Sequence, residues 1–447
     1  MRATTVLAAF MTVSPLLRAQ TTSLSTDTVR LSLAEARALA INGNPELRAA
    51  RLDINIARGE LRQASVLLRS NPEADVLAGG AGPELGIGQE IEVGLQRGAR
   101  RAAARAGMDR ATASVTDVAR TVLNDVDRAF YRFVATDRRS ALADEVLGLN
   151  RRLAETSRRQ LQAGEISRLE FNLAIVEFGR ARARSLSARR ERTEAVSALR
   201  LLVGLAPTLV IAPVIDSTVE PVGQTTPSVE VPLVSDSLAG PDSIRGDARG
   251  STALNTDSLT MLALARRPDL AERVAAFRET RAQVSVARRE AFPNLILRAS
   301  SEPVESDGGK RELRPGVGFT LPAFNRNQGE IEARRAAARQ AELAVAGADA
   351  RVRAEVALAV ASYTSAAGEA QILGTTVLVP ARENRRLLEI AFREGKVGLP
   401  VLLLIRNQVI DAELEYWAAW LAEHEALADL AAATGETIAG FTPGLPK

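Results

Sequence analysis

His424 is the only histidine in the chain, and cysteine is absent. Glu423 and Glu425 flank it, so one imidazole and two carboxylates are all that could gather there. That set is too small for a His-rich or thiolate zinc centre, and HExxH hydrolysis is closed. A lone histidine on a helix is expected to be structural. Without cysteine there is no disulfide framework and no residue to carry a lipid anchor. No phosphate-cradling glycine loop and no Gly-x-Ser-x-Gly elbow occurs, so the expectation is a chain that is not an enzyme and holds no cofactor. Two glycine-marked reversals remain: Gly164-Glu165-Ile166-Ser167, followed by Glu170, and Gly395-Lys396-Val397-Gly398-Leu399, followed by Val401 and Leu404. Glycine there suits a sharp turn between helices.

The 57 basic and 54 acidic residues leave a net charge of +3, which gives no footing for nucleic acid. The basic residues are nearly all arginine, the lysines being Lys310, Lys396 and Lys447. Runs such as Arg100-Arg101, Arg189-Arg190 and Arg385-Arg386 read as solvated helix faces or as ion pairs with nearby glutamates.

The elements that must position these residues are written twice. Asn44-Pro45-Glu46-Leu47 answers to Arg267-Pro268-Asp269-Leu270, and Gly86-Ile87-Gly88 to Gly316-Val317-Gly318. Arg100-Arg101-Ala102-Ala103-Ala104-Arg105 answers to Arg334-Arg335-Ala336-Ala337-Ala338-Arg339, and the reversal at Gly164 to that at Gly395. Such duplication divides the 447 residues into two like units. Residues 1–19 read as a secretory signal: Arg2, an apolar stretch Ala3 to Leu17, and a site after Ala19. Residues 20–205 form a first repeat, with a strand hairpin at about 73–95 and a helical hairpin at about 97–204. A linker rich in Pro, Ser, Thr and Asp covers 206–257. Residues 258–436 form a second repeat, with strands at about 294–323 and helices at about 327–435, and 437–447 is a tail.

Within each repeat the period changes. Ser32 and Glu35 form a capping box, and Asn44-Pro45 opens a helix that runs to about Arg69. From Leu85 to Leu95 the odd positions are mostly apolar, while Gly86, Gly88, Glu90, Glu92 and Gly94 alternate with them, which is a strand. Val317, Phe319 and Leu321 alternate likewise with Gly316, Gly318 and Thr320. Then come long helical seams: Val115, Val118, Val122, Val126, Ala129 and Phe133 in the first copy, and Val352, Val356, Ala359, Tyr363, Ala366, Ala370, Leu373 and Val377 in the second. More than sixty residues from about Arg97 to Gly164 make a rod of roughly 100 Å. Pro380 should kink its counterpart. The helix after Gly398 carries two apolar seams, as a stave in a closed cylinder needs.

Each strand is about ten residues long, the length that crosses a bilayer at a tilt. Four strands cannot close a barrel, and lipid tolerates no open edge. Three copies would supply twelve, an even number within the known range. The aromatic girdle is thin, with only Phe292 and Phe324 bracketing the second hairpin. A soluble periplasmic coiled-coil scaffold or adaptor is the alternative; it would leave the two matched hairpins without purpose.

Leu31-Ser32-Leu33-Ala34-Glu35-Ala36, Asn44-Pro45-Glu46-Leu47, and Gln89-Glu90-Ile91-Glu92-Val93-Gly94 running into Arg100-Arg101, with the two turns, resemble the TolC-like outer membrane efflux proteins. The likeness is nearest to the branch serving heavy-metal export. It covers about Leu31 to Gly435 apart from the linker. It implies a mainly α chain with a small β part, assembled as an elongated homotrimer. A twelve-stranded outer-membrane β-barrel, four strands per chain, would continue into a periplasmic α-helical barrel. The resemblance further implies contact with outer membrane lipid, docking to a periplasmic adaptor (membrane fusion) protein, and through it to an inner-membrane RND-type transporter. The conduit would be passive, its cargo metal cations or small organic toxicants. The adaptor-binding tips would be Gly164, Glu165, Ile166, Ser167, Gly395, Lys396, Val397, Gly398 and Leu399. Many relatives carry acidic residues just after the second turn, where this chain has Val401 and Leu404. Glu170 is the acid at the matching place after the first turn, so a partly hydrophobic channel mouth is expected.

Overall fold

The fold is taken from a computed structural model, which describes residues 29–79, 82–214, 254–303, 311–394 and 396–435. The signal peptide, most of the linker, the tail and Gly395 lie outside the described residues.

Two long helical hairpins hang from a small sheet. Strand β1 (Val29–Leu31) leads into helices α1 (Leu33–Gly43) and α2 (Pro45–Ser65), strands β2 (Glu73–Gly79) and β3 (Gly82–Ile91), and helices α3 (Gln96–Gln162) and α4 (Arg168–Val203). Strand β4 (Ile211–Pro213) follows. The second copy runs α5 (Thr256–Arg266), α6 (Pro268–Glu290), β5 (Leu295–Pro303), β6 (Arg311–Phe319), α7 (Gln328–Ile372), a π-helical segment (Leu373–Leu378), α8 (Val379–Arg393) and α9 (Leu399–Thr434). No described helix is long and apolar enough to cross a membrane.

Local chemistry sets these boundaries. The Ser32–Glu35 capping box is formed, Glu35 Oε2 accepting from the Ser32 amide at 2.8 Å. Asn44 caps α2, with Pro45 at its start. That helix stops at Ser65, short of the expected Arg69, and Val93 and Leu95 lie beyond β3. The margins of the expected linker are ordered: β4 pairs in parallel with β1, and α5 begins at Thr256.

Each repeat closes on itself. Asn44 donates to the Leu202 carbonyl at 2.9 Å, and Gly204 (φ 72°) lies so close to Gly43 that a Cβ would stand 2.6 Å from its carbonyl oxygen. In the second copy Arg267 holds the matching place, its buried guanidinium bonded to Asp269 at 2.7 Å and paired with Glu355 at 2.6 Å. The main core lies where α1, α3, α4 and α9 meet, around Val126, Phe130, Phe133, Leu199, Tyr416 and Trp420. The two repeats are laced together along α3 and α9, Arg128 pairing with Asp429 at 2.9 Å and Arg132 with Glu425 at 2.8 Å.

The expected kink at Pro380 takes another form. The turns just before it widen into the π segment, which accommodates a residue without an N–H. The wide turn shifts the seam by one residue: Gly374 and Leu378 are buried instead of Leu373 and Val377. Gly374 packs closely there, where a Cβ would meet the Tyr416 ring at 3.1 Å.

His424 is structural. Its ring stacks on Trp420 at 4.0 Å, and Nδ1 lies 2.8 Å from the Trp420 carbonyl, which makes Nδ1 the protonated nitrogen. Burial pushes its pKa below the usual histidine value, against a smaller upward pull from that hydrogen bond. Below about pH 6.5 the unfolded chain gains a proton that the folded one resists, so stability falls with acidification. His424→Gln should flatten that loss between about pH 7 and pH 5; thermal melts of the detergent-extracted protein across this range would show it.

Candidate functional site

Strands β2-β3-β5-β6 form one antiparallel sheet in that order. The register places Val76 opposite Leu85, Ala74 opposite Ile87, Gln89 opposite Leu297, and Leu297 opposite Val317. These positions share one face, continued by Leu313 and Phe319. Among the described residues nothing covers that face: Val76 and Val317 are each 69% exposed and Leu313 is 72% exposed. The other face carries Glu73, Asp75, Glu84, Arg298, Glu302 and Arg314 with Gly86, Gly88, Gly316 and Gly318. Here Arg314 pairs with Glu302 at 2.5 Å, and the glycines leave room for Asp75 and Arg298 to lie across the strands. Among the described residues β2 and β6 each have a free edge. A sheet with one bare apolar face, one charged face and two open edges is a segment of a larger closed wall.

Where strands become helices the chain turns through Leu95 (φ 60°) and Asn327 (φ 60°), one in each copy. Gln96 is buried there and donates to Asn294 Oδ1 at 2.9 Å, Asn294 donates to Glu90 Oε1 at 2.7 Å, and Glu92 pairs with Arg100. Of the two expectations for the arginine runs, Arg100 takes the ion pair: its side chain is only 14% exposed and lies on Glu92. The matched pair Gln96 and Gln328, each opening a rod, is the sequence signal of this collar.

Just beneath the collar α2, α3, α6 and α7 all contribute to one shallow hollow of about 340 Å³. A hollow shared by four successive staves lies on the concave side of the wall. Glu60, Glu279, Glu290 and Glu330 line it, against Arg100 and Arg334. Among the described residues no group of histidine, aspartate or glutamate is arranged to hold a metal ion.

The 67-residue α3 carries the first reversal roughly 100 Å from the collar. Gly164 adopts φ 75° with open space where a Cβ would stand, so the backbone conformation alone accounts for a glycine at this position. Glu165 donates back to the Gln160 carbonyl at 2.9 Å, and Ile166 is half-buried. Ser167 caps α4, and the Glu170 carboxylate accepts from the Ser167 amide at 2.8 Å and its hydroxyl at 3.0 Å. The Ser167 amide, with help from the hydroxyl, holds the Glu170 carboxyl below the usual carboxylate range. Ser167→Ala should loosen this turn by about 1 kcal/mol, seen as faster amide exchange at 168–171 with the melting temperature little changed.

The second reversal is built differently. Lys396 pairs with Glu394 at 2.5 Å, and Gly398 caps α9 with no side-chain hydrogen bond, Pro400 filling the first turn. Val397 is half-buried; Leu399 begins α9. Val401 and Leu404 are 46% and 60% exposed. The two reversals sit at the same end of the molecule. Asn407 reaches Glu177 at 3.5 Å, and Val146, Ala181 and Ile410 pack together, each a short way behind its own turn.

The comparisons agree with this architecture. The family described as "Outer membrane efflux protein" matches residues 36–205 and 259–436. The cobalt-zinc-cadmium resistance protein CzcC of Cupriavidus metallidurans is 24% identical over 395 residues, 86% of this chain and 85% of that one. A membrane protein from Pseudomonas aeruginosa shares the fold with a TM-score of 0.68 at 21% identity, over 90% of each chain. The open-state MtrE outer membrane channel of Neisseria gonorrhoeae gives a TM-score of 0.65 at 20% identity, over 90% of this chain and 88% of that one. With a duplicated helical wall, a membrane-length sheet and a family match across both copies, the chain belongs to the outer membrane efflux protein family and is a channel component of the outer membrane, not an enzyme.

Proposed function

We propose that three copies pool their strands into a twelve-stranded barrel and their helices into a periplasmic tunnel, forming a passive conduit. The observation that carries this is the sheet, whose bare apolar face and two open edges have no partner among the described residues. The tips at 164–167 and 395–399 dock a periplasmic adaptor that links the conduit to an inner-membrane RND-type transporter. Metal cations are the favoured cargo. The name of the Cupriavidus relative supports this. Native mass spectrometry of the detergent-extracted protein tests the assembly, and a water-soluble monomer would refute it.

At the mouth Val401 and Leu404 give an apolar collar, while Glu170 is engaged in its cap. Selection by charge is therefore weak there, and choice of cargo lies with the pump. In planar bilayers Glu170→Gln should change cation preference little, since glutamine also completes a capping box. Leu404→Asp should raise that preference several-fold by setting a ring of carboxylates. If Glu170→Gln alone abolishes cation preference, the apolar mouth is wrong.

A further inference from the structure

Many arginines of the helical wall lie against carboxylates, as Arg110 does on Glu279 at 3.0 Å and Arg334 on Glu330 at 2.6 Å. One groove between α6 and α7, of about 430 Å³, gathers four arginines instead. Arg281, Arg288, Arg335 and Arg339 line it with Glu342 as the lone lining carboxylate, a local excess of three positive charges (4 − 1). Among the described residues Arg288, Arg335 and Arg339 have no hydrogen-bond or ion-pair partner, and Arg281 lies over the Phe277 ring at 5.6 Å. Like charges so placed repel one another unless an anion joins them.

The groove faces away from the lumen. At 100° per residue, Arg281 and Arg288 fall on the side of α6 opposite Glu279, Gln283 and Glu290, which line the concave hollow. On α7, Arg335, Arg339 and Glu342 occupy the heptad positions that lower down are Val356 and Val360, the residues that pack with Ala263 of α5. The groove is thus the upper, uncovered end of a stripe that α5 covers below.

Its height matters as much as its charge. Phe292 and Phe324, 53% and 95% exposed, mark the join of strands and helices, where interfacial aromatics belong. Arg288 precedes Phe292 by one turn, roughly 6 Å, and Arg335 lies roughly 10 Å down α7. The headgroup layer beneath the hydrocarbon is roughly 5–8 Å deep, within reach of a long arginine side chain. We propose that this groove holds the phosphate of an anionic phospholipid from the periplasmic leaflet of the outer membrane, clamped by Arg288 and Arg335 with Arg281 and Arg339 behind them. Guanidinium forks suit phosphate oxygens.

The test is native mass spectrometry of the full-length assembled protein released from nanodiscs of phosphatidylcholine, with and without phosphatidylglycerol. The expected result is selective retention of phosphatidylglycerol, reduced roughly thirty-fold in Arg288→Gln/Arg335→Gln. Arg334→Gln, one residue away but on the concave side, should retain lipid like the parent. Equal retention by the double variant overturns the proposal. So does displacement of the lipid by millimolar inorganic phosphate alone, which would make the groove a site for free phosphate. Should the double variant not assemble, the parent protein still decides: no preference for phosphatidylglycerol over phosphatidylcholine is an equal refutation.

Discussion

Ile87→Arg is expected to keep the protein out of the outer membrane, whereas Gly88→Ser, the next residue along the same strand, should leave assembly intact. Ile87 sits midway along β3, paired with Ala74 on one side and Ala299 on the other, and is 52% exposed on the apolar face. A guanidinium there must enter hydrocarbon, at roughly 2–4 kcal/mol per chain for the middle of a barrel. Three copies in one ring would each carry that penalty. Gly88 points to the charged face, where a new Cβ meets nothing nearer than Arg298 Cγ at 3.7 Å, an ordinary contact. A serine hydroxyl on that face is solvated. Separation of membranes, followed by semi-native electrophoresis of the outer-membrane fraction, reads both variants. If Ile87→Arg inserts and assembles like the parent, the faces are assigned the wrong way round or the sheet does not meet lipid.

The same alternation explains what could be read without coordinates. A period of two has a definite phase, so Leu85 and Ile87 against Gly86 and Gly88 declared both the strand and its two faces. Heptad spacing declared α3 and α9 in the same way, and Asn44-Pro45 declared a helix start. What escaped depended on geometry between distant segments. Pro380 announced a disturbance, but not that it takes the form of a wide turn with Gly374 packed inside it against Tyr416. Glu170 reads as a charge near a mouth, yet Ser167 and Glu170 have the same spacing as Ser32 and Glu35, so the cap its carboxylate closes was also written in the sequence. The paired edges β1 and β4 are three residues each, too short for any pattern. Of the arginines of the α6–α7 groove, Arg288 and Arg335 stand in pairs of a kind that reads as solvated faces or ion pairs, and the gathering of four appears only when the two helices are laid side by side.

Arg37→Met should be among the most damaging single substitutions outside the barrel, and its effect should depend on Asp127. Asp127 sits in the apolar stripe of α3 beside Val126 and Phe130, with its side chain 2% exposed. Arg37, on α1, reaches it with both arms of its fork, Nε at 2.7 Å and a terminal nitrogen at 2.6 Å. Burial pushes the Asp127 carboxyl above the usual aspartate value, and the arginine only partly offsets that rise. Removing the guanidinium leaves a buried carboxylate alone, a loss of about 3 kcal/mol, the lower end of the usual range because Arg37 is itself part-exposed. The sign with pH follows. A raised carboxyl pKa means the folded protein holds that proton more tightly than the unfolded chain, so the deficit is smallest below about pH 4 and grows as pH rises through the folded value. Arg37→Met/Asp127→Leu removes both charges and fills the space with apolar atoms, so it should recover most of the loss at neutral pH. Melting of the detergent-extracted protein across pH compares the three proteins. A double variant no more stable than Arg37→Met would mean that the pair acts through shape rather than charge, and that α1 is held to the wall by its apolar contacts, Ala36 and Ala40, alone.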